Sequence, residues 1–221
     1  MYWRLTDSVT ACIAAGRVIF LDLARDRYFA LPDALNEPFA SWLTGPTASD
    51  LPMALRMALV ELAIVSAVRA GHLAPTPCHV GMPVALDAEK LAPAPITFRN
   101  LVGVAAAVVT AWRDVRSKPL ASILGRRLPP ADFAAPINRA DKLARVAAFR
   151  SIRPFIPVPR VCLHDCLALL EWLGPSRAGT QLVFGVSAYP FAAHCWVQSG
   201  GRVIDDHPES VSRFEPILHF E

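Results

Sequence analysis

Five prolines between residues 74 and 97 constrain the organisation of this 221-residue chain more than any other feature. They are Pro75, Pro77, Pro83, Pro93 and Pro95. Proline lacks a backbone N–H and disfavours the helical conformation of the residue before it, so neither a long helix nor a central strand runs through such a stretch. The stretch therefore predicts a linker over residues 76–97, between an N-terminal domain of residues 1–75 and a C-terminal domain of residues 98–221.

The N-terminal domain is predicted to be a small sheet followed by helices. Short alternating or β-branched runs, separated by candidate turns at residues 15–16 and 24–27, predict strands. The predicted strands cover residues 2–5, 9–14, 17–23 and 28–31. Asp33 follows a proline and is predicted to cap a helix that runs to Leu43, and Ser49 or Asp50 is predicted to cap a second helix that continues through Arg69.

The C-terminal domain is predicted to combine helices with a late group of strands. Helical patterns cover residues 98–117 and 138–150, and an irregular region is expected around residues 128–131. The proline-rich residues 153–160 are expected to be extended, since residues before proline avoid the helical region. They lead into a helix that begins at Cys162, and strands are predicted at 181–187, 193–198 and 202–205. Together the two domains predict the α+β class.

Three residue types that cooperate in thiol enzymes follow one another along the C-terminal domain. Cys162 opens an apolar helical run, and His194 and Asp206 lie in two short strand-like runs. A thiol attacks as its thiolate, which the partial positive charge of a helix N-terminus stabilises. An imidazole takes the proton, and a carboxylate orients that imidazole. The pattern predicts a Cys–His–Asp triad that attacks a carbonyl group, with a peptide bond as the expected substrate.

The loop between the two strand-like runs decides which carboxylate His194 meets. A three-residue loop at residues 199–201 places His194 opposite Asp206, within reach of a hydrogen bond. A two-residue loop would instead pair His194 with Asp205. The spacing alone therefore leaves both carboxylates open.

Two further cysteines lie near these residues. Cys166 is one helical turn after Cys162, but it is farther from the terminal N–H groups, so its thiolate is less favoured. Cys195 alternates with His194 along a strand, so we expect it to point to the opposite face and to serve packing. A zinc site that includes His164 is disfavoured, because His164 faces away from both helix cysteines. We predict no metal and no cofactor.

Composition and charge exclude several other classes of protein. The hydrophobic content is 53%, which is enough for a core, and the net charge is only +3, so nucleic-acid binding is not expected. The longest apolar run is residues 101–111, far below the roughly 20 residues that a membrane span needs. No secretory signal is visible. Five scattered cysteines without a CxxC pair indicate reduced thiols, so we expect a cytoplasmic protein.

The C-terminal pattern resembles the maturation protease of lasso-peptide biosynthesis, the B protein, which has a transglutaminase-like, papain-like fold. The resemblance is carried by residues 159–163, 167–169, 182–186, 190–197 and 201–206. It implies that Cys162 is the nucleophile, that His194 is the base, and that the acid is the second residue of the Asp205-Asp206 pair. It also implies a separate asparagine-synthetase-like cyclase, which uses ATP and accepts the released core peptide.

The N-terminal domain resembles, more loosely, the PqqD-like element that recognises precursor peptides in peptide-modifying systems. Residues 21–32 and the helix with Phe39 and Trp42 carry this resemblance. It implies a winged-helix-like module of three strands and three helices, to which a leader peptide adds as an extra strand. The residues expected to bind the leader are Asp22, Arg25, Arg27, Tyr28, Phe29 and Leu31.

The combined expectation is a leader peptidase that binds a lasso-peptide precursor and cleaves the leader from the core. One alternative is a non-catalytic scaffold that presents the precursor to the cyclase. The other is an acyltransferase of transglutaminase type, in which an amine takes the place of water.

Overall fold

The computed structural model of the protein describes residues 2–45, 52–68, 84–85, 93–127 and 139–220. It contains helices and strands in both parts of the chain, so the predicted α+β class is confirmed. The chain divides into two compact units. Unit 1 comprises residues 1–80, 185–193 and 214–218, and unit 2 comprises residues 81–184, 194–213 and 219–221. The predicted boundaries did not include the return of two C-terminal segments to unit 1.

Unit 1 contains a three-stranded antiparallel sheet with the strand order β2-β3-β4. Its strands are β2 (Val9–Ala14), β3 (Arg17–Asp22) and β4 (Arg27–Ala30). Ala15 and Gly16 form the tight turn between β2 and β3, and both have positive φ, at 47° and 78°. This geometry matches the right-handed twist of the flanking strands. The hydrogen-bonded order leaves β4 at one edge of the sheet.

The helices of unit 1 follow β4. They are α1 (Asp33–Thr44) and α2 (Met53–Glu61). The predicted continuation of the second helix through Arg69 is wrong, because Ala63 adopts a left-handed conformation with φ of 55°. The chain then forms β5 (Val65–Val68), which pairs with β1 (Tyr2–Leu5) in a separate two-stranded sheet. The β-branched residues in this segment favour a strand over a helix.

An aromatic cluster packs α1 against the three-stranded sheet of unit 1. The rings of Phe20 and Phe29 stack with centroids 4.9 Å apart, and Phe39 of α1 lies 5.1 Å from Phe20. Trp42, one turn later on α1, continues the cluster at 5.2 Å from Phe39. These four residues give the loosely matched N-terminal domain a core of its own.

The remaining elements build the C-terminal part of the chain. The helices are α3 (Phe98–Ser117), α4 (Leu120–Arg127), α5 (Arg139–Ile152), α6 (Cys162–Leu173) and α7 (Pro208–Val211). The strands are β6 (Val84–Ala85), β7 (Thr180–Ala188), β8 (Phe191–Ser199), β9 (Arg202–Val203) and β10 (Glu215–Phe220). They form one sheet in the order β10-β7-β8-β9-β6.

Most of these elements match the sequence analysis. The predicted helix over 98–117 is confirmed, and α5 lies within two residues of its predicted bounds. Elements α4, α7 and β10 were not predicted, and β6 lies inside the predicted linker, where it pairs with β9 in parallel. The irregular region expected at residues 128–131 lies outside the described residues. Among the described residues, no helix combines the length and the apolar character that crossing a bilayer requires.

Helix α6 is held in unit 2 by close packing against α3. A Cβ atom on Gly103 of α3 would lie only 2.5 Å from Cζ3 of Trp172 on α6, so the glycine permits the close approach. The Trp172 indole N–H donates a hydrogen bond of 2.9 Å to the carbonyl of Arg145 on α5. Through Trp172, two neighbouring helices fix the position of α6.

Candidate active site

The candidate nucleophile Cys162 is the first residue of α6. Val161 precedes it in an extended conformation, so the predicted start of the helix at Cys162 is confirmed. The N–H groups of the first turn have no acceptor within the helix and give this end a partial positive charge. Cys162 is only partly buried, so a substrate carbonyl can reach its thiol.

A buried arginine, which the sequence analysis did not single out, fixes the segment before α6. Arg153 is only 2% exposed, and its guanidinium donates a hydrogen bond of 2.8 Å to Asp165 in the first turn of α6. The same guanidinium donates to three carbonyls, those of Ile156, Val158 and Pro159, at 3.3, 3.0 and 3.1 Å. Arg153 thereby ties the segment before α6 to the helix end that carries Cys162. The expected extended conformation is wrong for Arg153–Phe155, which form a short 3-10 helix. The sequence signal that could have revealed Arg153 was a charged residue within an apolar, proline-rich run. A charged side chain that is buried in such a run needs hydrogen-bond partners.

His194 on β8 lies between the thiol and a carboxylate. Its Nε2 is 2.7 Å from Oδ2 of Asp206. The Cys162 thiol lies close enough to the imidazole to raise its pKa as well. Because Nε2 faces Asp206, Nδ1 is the nitrogen left for the thiol. The ring of Trp196, two residues along the same strand face, lies 6.3 Å from the His194 ring and stacks on it at 28°. The structure therefore brings together Cys162, His194 and Asp206.

Hydrogen bonds shift the pKa of each member of this group. The pKa of His194 is raised to about 9, first by Asp206 and then by Cys162, while burial opposes the rise. The pKa of Asp206 is lowered, mainly by the hydrogen bond with His194. The pKa of the Cys162 thiol is raised to about 12 by its hydrogen bond with Cys195 and by burial, and the hydrogen bond to His194 lowers it. Formation of the Cys162 thiolate therefore depends on the positive charge of His194 and of the helix end.

The turn between β8 and β9 produces a strand register that differs from both expected registers. Gly200 and Gly201 have φ of 57° and 71° and form a two-residue turn, so that Ser199 pairs with Arg202. Two consecutive residues with positive φ are favourable for glycine and define this tight hairpin turn. The ladder ends after Val203, and the chain bends over residues 204–206. The predicted pairing of His194 with Asp206 across a three-residue loop is therefore wrong. The alternative strand pairing of His194 with Asp205 is also wrong.

The two carboxylates that follow β9 meet different partners. Asp206 reaches His194 from the bend rather than as its strand partner. Asp205 instead accepts a hydrogen bond of 2.9 Å from the backbone N–H of Val197 at Oδ1, and its Oδ2 lies 3.2 Å from Sγ of Cys166. Burial raises the pKa of Asp205 to about 6. Of the two carboxylates left open by the spacing, the structure brings Asp206 to the imidazole.

Two buried thiols lie beneath the nucleophile. Cys166 is 1% exposed, and its Sγ lies 3.4 Å from the carbonyl oxygen of Cys195 and 3.7 Å from the Cys195 Sγ. Burial raises the pKa of the Cys166 thiol. Cys195 was expected to face away from the site, but it lines the same cavity as Cys162. The reason is that α6 packs on the strand face to which Cys195 points, which brings that face next to the nucleophile.

Cys162, His194 and Asp206 line an open cavity of about 490 Å³. This volume is in the range of pockets that bind small molecules or peptide side chains. Arg150, Arg160 and His207 also line it. Within the part of the chain that the structure describes, no group of three His, Cys, Asp or Glu side chains is arranged to hold a metal ion.

The six residues expected to bind a leader peptide divide into exposed and buried ones. Asp22 is 1% exposed and pairs with the guanidinium of Arg25 at 2.7 Å, and Leu31 is 2% exposed and belongs to the core of unit 1. The side chains of Asp22 and Leu31 are therefore not available to a peptide at the surface, which corrects the expectation for these two. Arg25 and Arg27 are exposed, and Tyr28 and Phe29 are partly exposed.

An open groove of about 290 Å³ lies beside β4 within unit 1. Tyr28 and Phe29 line it from β4, and Tyr189 and Phe191 line it from the segment 185–193. The rings of Tyr28 and Phe191 have centroids 6.0 Å apart, and Arg17 donates a hydrogen bond of 3.2 Å to the Tyr189 hydroxyl. The sequence analysis missed Tyr189 and Phe191, which are 69% and 56% exposed. Large aromatic residues at a predicted turn between strands were the available signal.

A family model described as the transglutaminase-like superfamily matches residues 104–219, more than half of the chain. The chain therefore belongs to the transglutaminase-like superfamily. The matched range contains Cys162, His194 and Asp206, together with the helix and strands that position them.

A curated relative is similar to a smaller part of the chain. The microcin J25-processing protein McjB of Escherichia coli is 43% identical over 47 residues. The matching segment covers 21% of this chain and 23% of that protein's length, so the chain spans about a quarter of that relative. No solved structure matches the chain.

Proposed function

We propose that the protein is a cysteine peptidase that removes the leader from a ribosomally made lasso-peptide precursor. The observation that carries this proposal is the imidazole of His194, which lies 2.7 Å from the Asp206 carboxylate and lines the same cavity as Cys162, the first residue of α6. Membership of the transglutaminase-like superfamily supports a thiol nucleophile. The similarity to a 47-residue segment of a microcin J25-processing protein supports a peptide precursor as the substrate.

The mechanism follows from the arrangement of the three side chains. His194 takes the thiol proton, and the Cys162 sulfur attacks the carbonyl carbon of the leader–core peptide bond. The oxyanion that forms is stabilised by N–H groups at the start of α6, including that of Cys162. His194 then delivers its proton to the departing amine of the core, which leaves a thioester between the leader and Cys162. Water, deprotonated by His194, attacks the thioester and releases the leader acid. Asp206 keeps the imidazole oriented and stabilises its charged form.

The leader is proposed to bind along the edge strand β4. An edge strand presents unpaired backbone N–H and C=O groups, to which an extended peptide adds as a further strand. The partly exposed Tyr28 and Phe29 would contact leader side chains, and Arg25 and Arg27 would contact acidic or carbonyl groups of the leader. Tyr189 and Phe191 line the groove on its other side, which supports an apolar leader side chain as the occupant.

The released core is proposed to pass to a partner enzyme. Cleavage frees the α-amine at the start of the core, and only a free amine can close a macrolactam ring with a side-chain carboxylate. Ring closure needs an activated carboxylate, so the partner would be an ATP-dependent, asparagine-synthetase-like cyclase. The reduced state of the thiol centre is compatible with a cytoplasmic location.

An acyltransferase is the second candidate, because the superfamily and the triad are compatible with either fate of the thioester. If an amine replaces water, the leader is transferred to that amine rather than released as an acid. Incubation with and without an added primary amine separates the two: a leader–amine adduct in the mass spectrum supports transfer, and a free leader acid supports hydrolysis.

The decisive experiment compares two cysteine variants on one substrate. The purified protein is incubated with the candidate precursor peptide encoded beside its gene, and the products are weighed by mass spectrometry. We expect leader and core from the wild type and none from Cys162→Ala. Cys166→Ala keeps the reactive thiol, so it should still cleave, with a rate reduced by less than about tenfold.

Two further measurements complete this test. Leader binding by Cys162→Ala, measured by fluorescence anisotropy, should equal that of the wild type. Iodoacetamide should modify Cys162 in the wild type at neutral pH and do so more slowly in His194→Ala, because the imidazolium that favours the thiolate is lost. Inert thiols in the wild type, with intact leader binding, would support a scaffold instead. Full cleavage by Cys162→Ala would refute the assignment of the nucleophile.

A further inference from the structure

Asp205 is a partly buried carboxylate next to the triad that the proposed mechanism does not use. Its Oδ1 accepts the backbone N–H of Val197 on β8 at 2.9 Å. Its Oδ2 lies 3.2 Å from Sγ of Cys166 on α6, which donates to it. One side chain therefore connects a helix and a strand that are otherwise separate in sequence.

Each group that Asp205 contacts is separated from a member of the triad by only a few residues of the same helix or strand. Cys166 follows the nucleophile by one turn of α6, so a contact at Cys166 fixes the height of the helix end. Val197 follows His194 by three residues on β8, and the peptide N–H of a strand residue cannot move independently of its strand. Asp205 itself immediately precedes Asp206. The carboxylate thus joins the three elements that deliver the three reacting groups.

The surroundings of this carboxylate are closely packed. The Cys166 Sγ is also 3.4 Å from the Cys195 carbonyl and 3.7 Å from the Cys195 Sγ, and both cysteines are almost fully buried. A charge in such a place costs free energy that a neutral side chain would avoid. The raised pKa of Asp205 reflects this cost. Because the carboxylate of Asp205 costs free energy at this place, its position between the catalytic elements indicates a role in orienting them rather than in stabilising the fold.

We propose that Asp205 is a positioning residue for the reaction at Cys162, because its hydrogen bonds set the separation of α6 and β8 and thereby the orientation of His194 toward the thiol. This inference rests on the proposed function. Small misplacements of reacting groups have large kinetic effects, and a displacement of about 1 Å costs roughly 100-fold in rate. Asp205 acts through the other residues in this proposal, although it also lines the cavity that contains Cys162.

The test uses two isosteric variants and one truncation in the full chain. Asp205→Asn keeps an oxygen for the Val197 N–H and an amide beside Cys166, so kcat should remain within about threefold of the wild type. Asp206→Asn has the same change of shape at the next residue, but it removes the charge that His194 needs and should lower kcat at least 100-fold. Asp205→Ala removes both hydrogen bonds and should lower kcat by about 10- to 100-fold. The KM and the leader affinity of Asp205→Ala should stay within about twofold, since the defect lies in the chemical step.

The outcomes separate this inference from the proposed function. If the wild type fails to cleave the precursor, the proposed function is wrong. If the wild type cleaves and a folded Asp205→Ala has the wild-type kcat, Asp205 does not position the triad. If Asp205→Asn loses as much activity as Asp206→Asn, its charge is needed and the positioning role is overturned.

A second variant tests the inference if Asp205→Ala does not fold. Should Asp205→Ala unfold below the assay temperature, Cys166→Ala removes the helix side of the same contact. It should lower kcat several-fold without changing KM, and a wild-type kcat in that variant would equally overturn the inference.

Discussion

His194 is the residue on which the candidate site depends most, because it connects the other two members of the triad. Its side chain is 21% exposed, so the hydrogen bond to Asp206 is shielded from water on most sides. Both Asp206 and Cys162 raise the pKa of His194, which reaches about 9. The raised pKa favours the charged imidazole once it has taken the thiol proton, and that charge is what can stabilise a thiolate beside it.

The raised pKa of His194 predicts a specific pH dependence of stability. A group whose pKa is higher in the folded state stabilises the fold fully below its unfolded pKa, near 6.5, and this contribution is lost as the pH rises through about 9. The unfolding free energy of the wild type, relative to His194→Gln, should therefore fall by about 1–3 kcal/mol between about pH 6 and about pH 10. Denaturant unfolding at several pH values measures this difference.

A control isolates the leading cause of that shift. Asp206→Asn removes the acceptor that contributes most to the raised pKa of His194. The difference in unfolding free energy between Asp206→Asn and the double variant that also carries His194→Gln should therefore change little between about pH 6 and about pH 10. A wild-type difference that is flat, or that grows with pH, would contradict the His194–Asp206 ion pair.

At the scale of elements, the position of the nucleophile follows from the packing of α6. Arg153 ties the first turn of α6 to the segment that precedes it, and Trp172 in its last turn packs against α3. Between these two ends, the side chains of Cys166–Leu170 are all buried. A helix held at both ends keeps its N-terminal N–H groups directed at one point, as stabilisation of an oxyanion requires.

Gly103 tests the close contact between α3 and α6. In Gly103→Ala the new Cβ would lie 2.5 Å from Cζ3 of Trp172, and the Trp172 indole is held by its hydrogen bond to Arg145. The overpacking should exceed the gain in helix propensity and lower the midpoint of thermal unfolding by about 2–10 °C. Differential scanning fluorimetry measures the midpoint.

Gly125 on α4 supplies the matched substitution. A Cβ at this position would meet nothing within 4 Å, so Gly125→Ala should leave the midpoint unchanged or raise it. If Gly103→Ala proves as stable as Gly125→Ala, the two helices are not in the close contact described here.

At the scale of the whole molecule, the strand β8 contributes residues to both units. Residues 185–193 belong to unit 1, and β8 continues from Phe191 into unit 2, where it carries His194. Under the proposed function, unit 1 holds the leader and unit 2 cleaves it. Binding of the leader then raises the effective concentration of the scissile bond by tethering, without any change at the thiol.

Tethering predicts competition by a free leader peptide. A synthetic leader added in trans should raise the apparent KM for the full precursor without lowering kcat, because it occupies only the docking surface. It should not slow the alkylation of Cys162 by iodoacetamide. A leader that lowers kcat, or one that protects Cys162 from alkylation, would place leader binding at the active site instead of at unit 1.

Local sequence pattern was sufficient for the helix that begins at Cys162, for the strand that carries His194 and for α3, α5, β7 and β9. These features depend on periodicity, on proline and glycine, and on neighbours within a few residues, all of which can be read along the chain. The resemblance to a known family added the expectation for Asp206, which the spacing alone had left open.

Contacts between distant segments settled the rest. The two-residue turn at Gly200 and Gly201 shifted the strand register, and only the bend after β9 brings Asp206 to His194 and turns Asp205 toward Cys166. The contact of Cys195 with Cys166 likewise depends on how α6 packs on β8, and the partners of Arg153 depend on how residues 156–159 fold back before α6. Such choices follow from burial and from the satisfaction of polar groups in three dimensions, which no local pattern encodes.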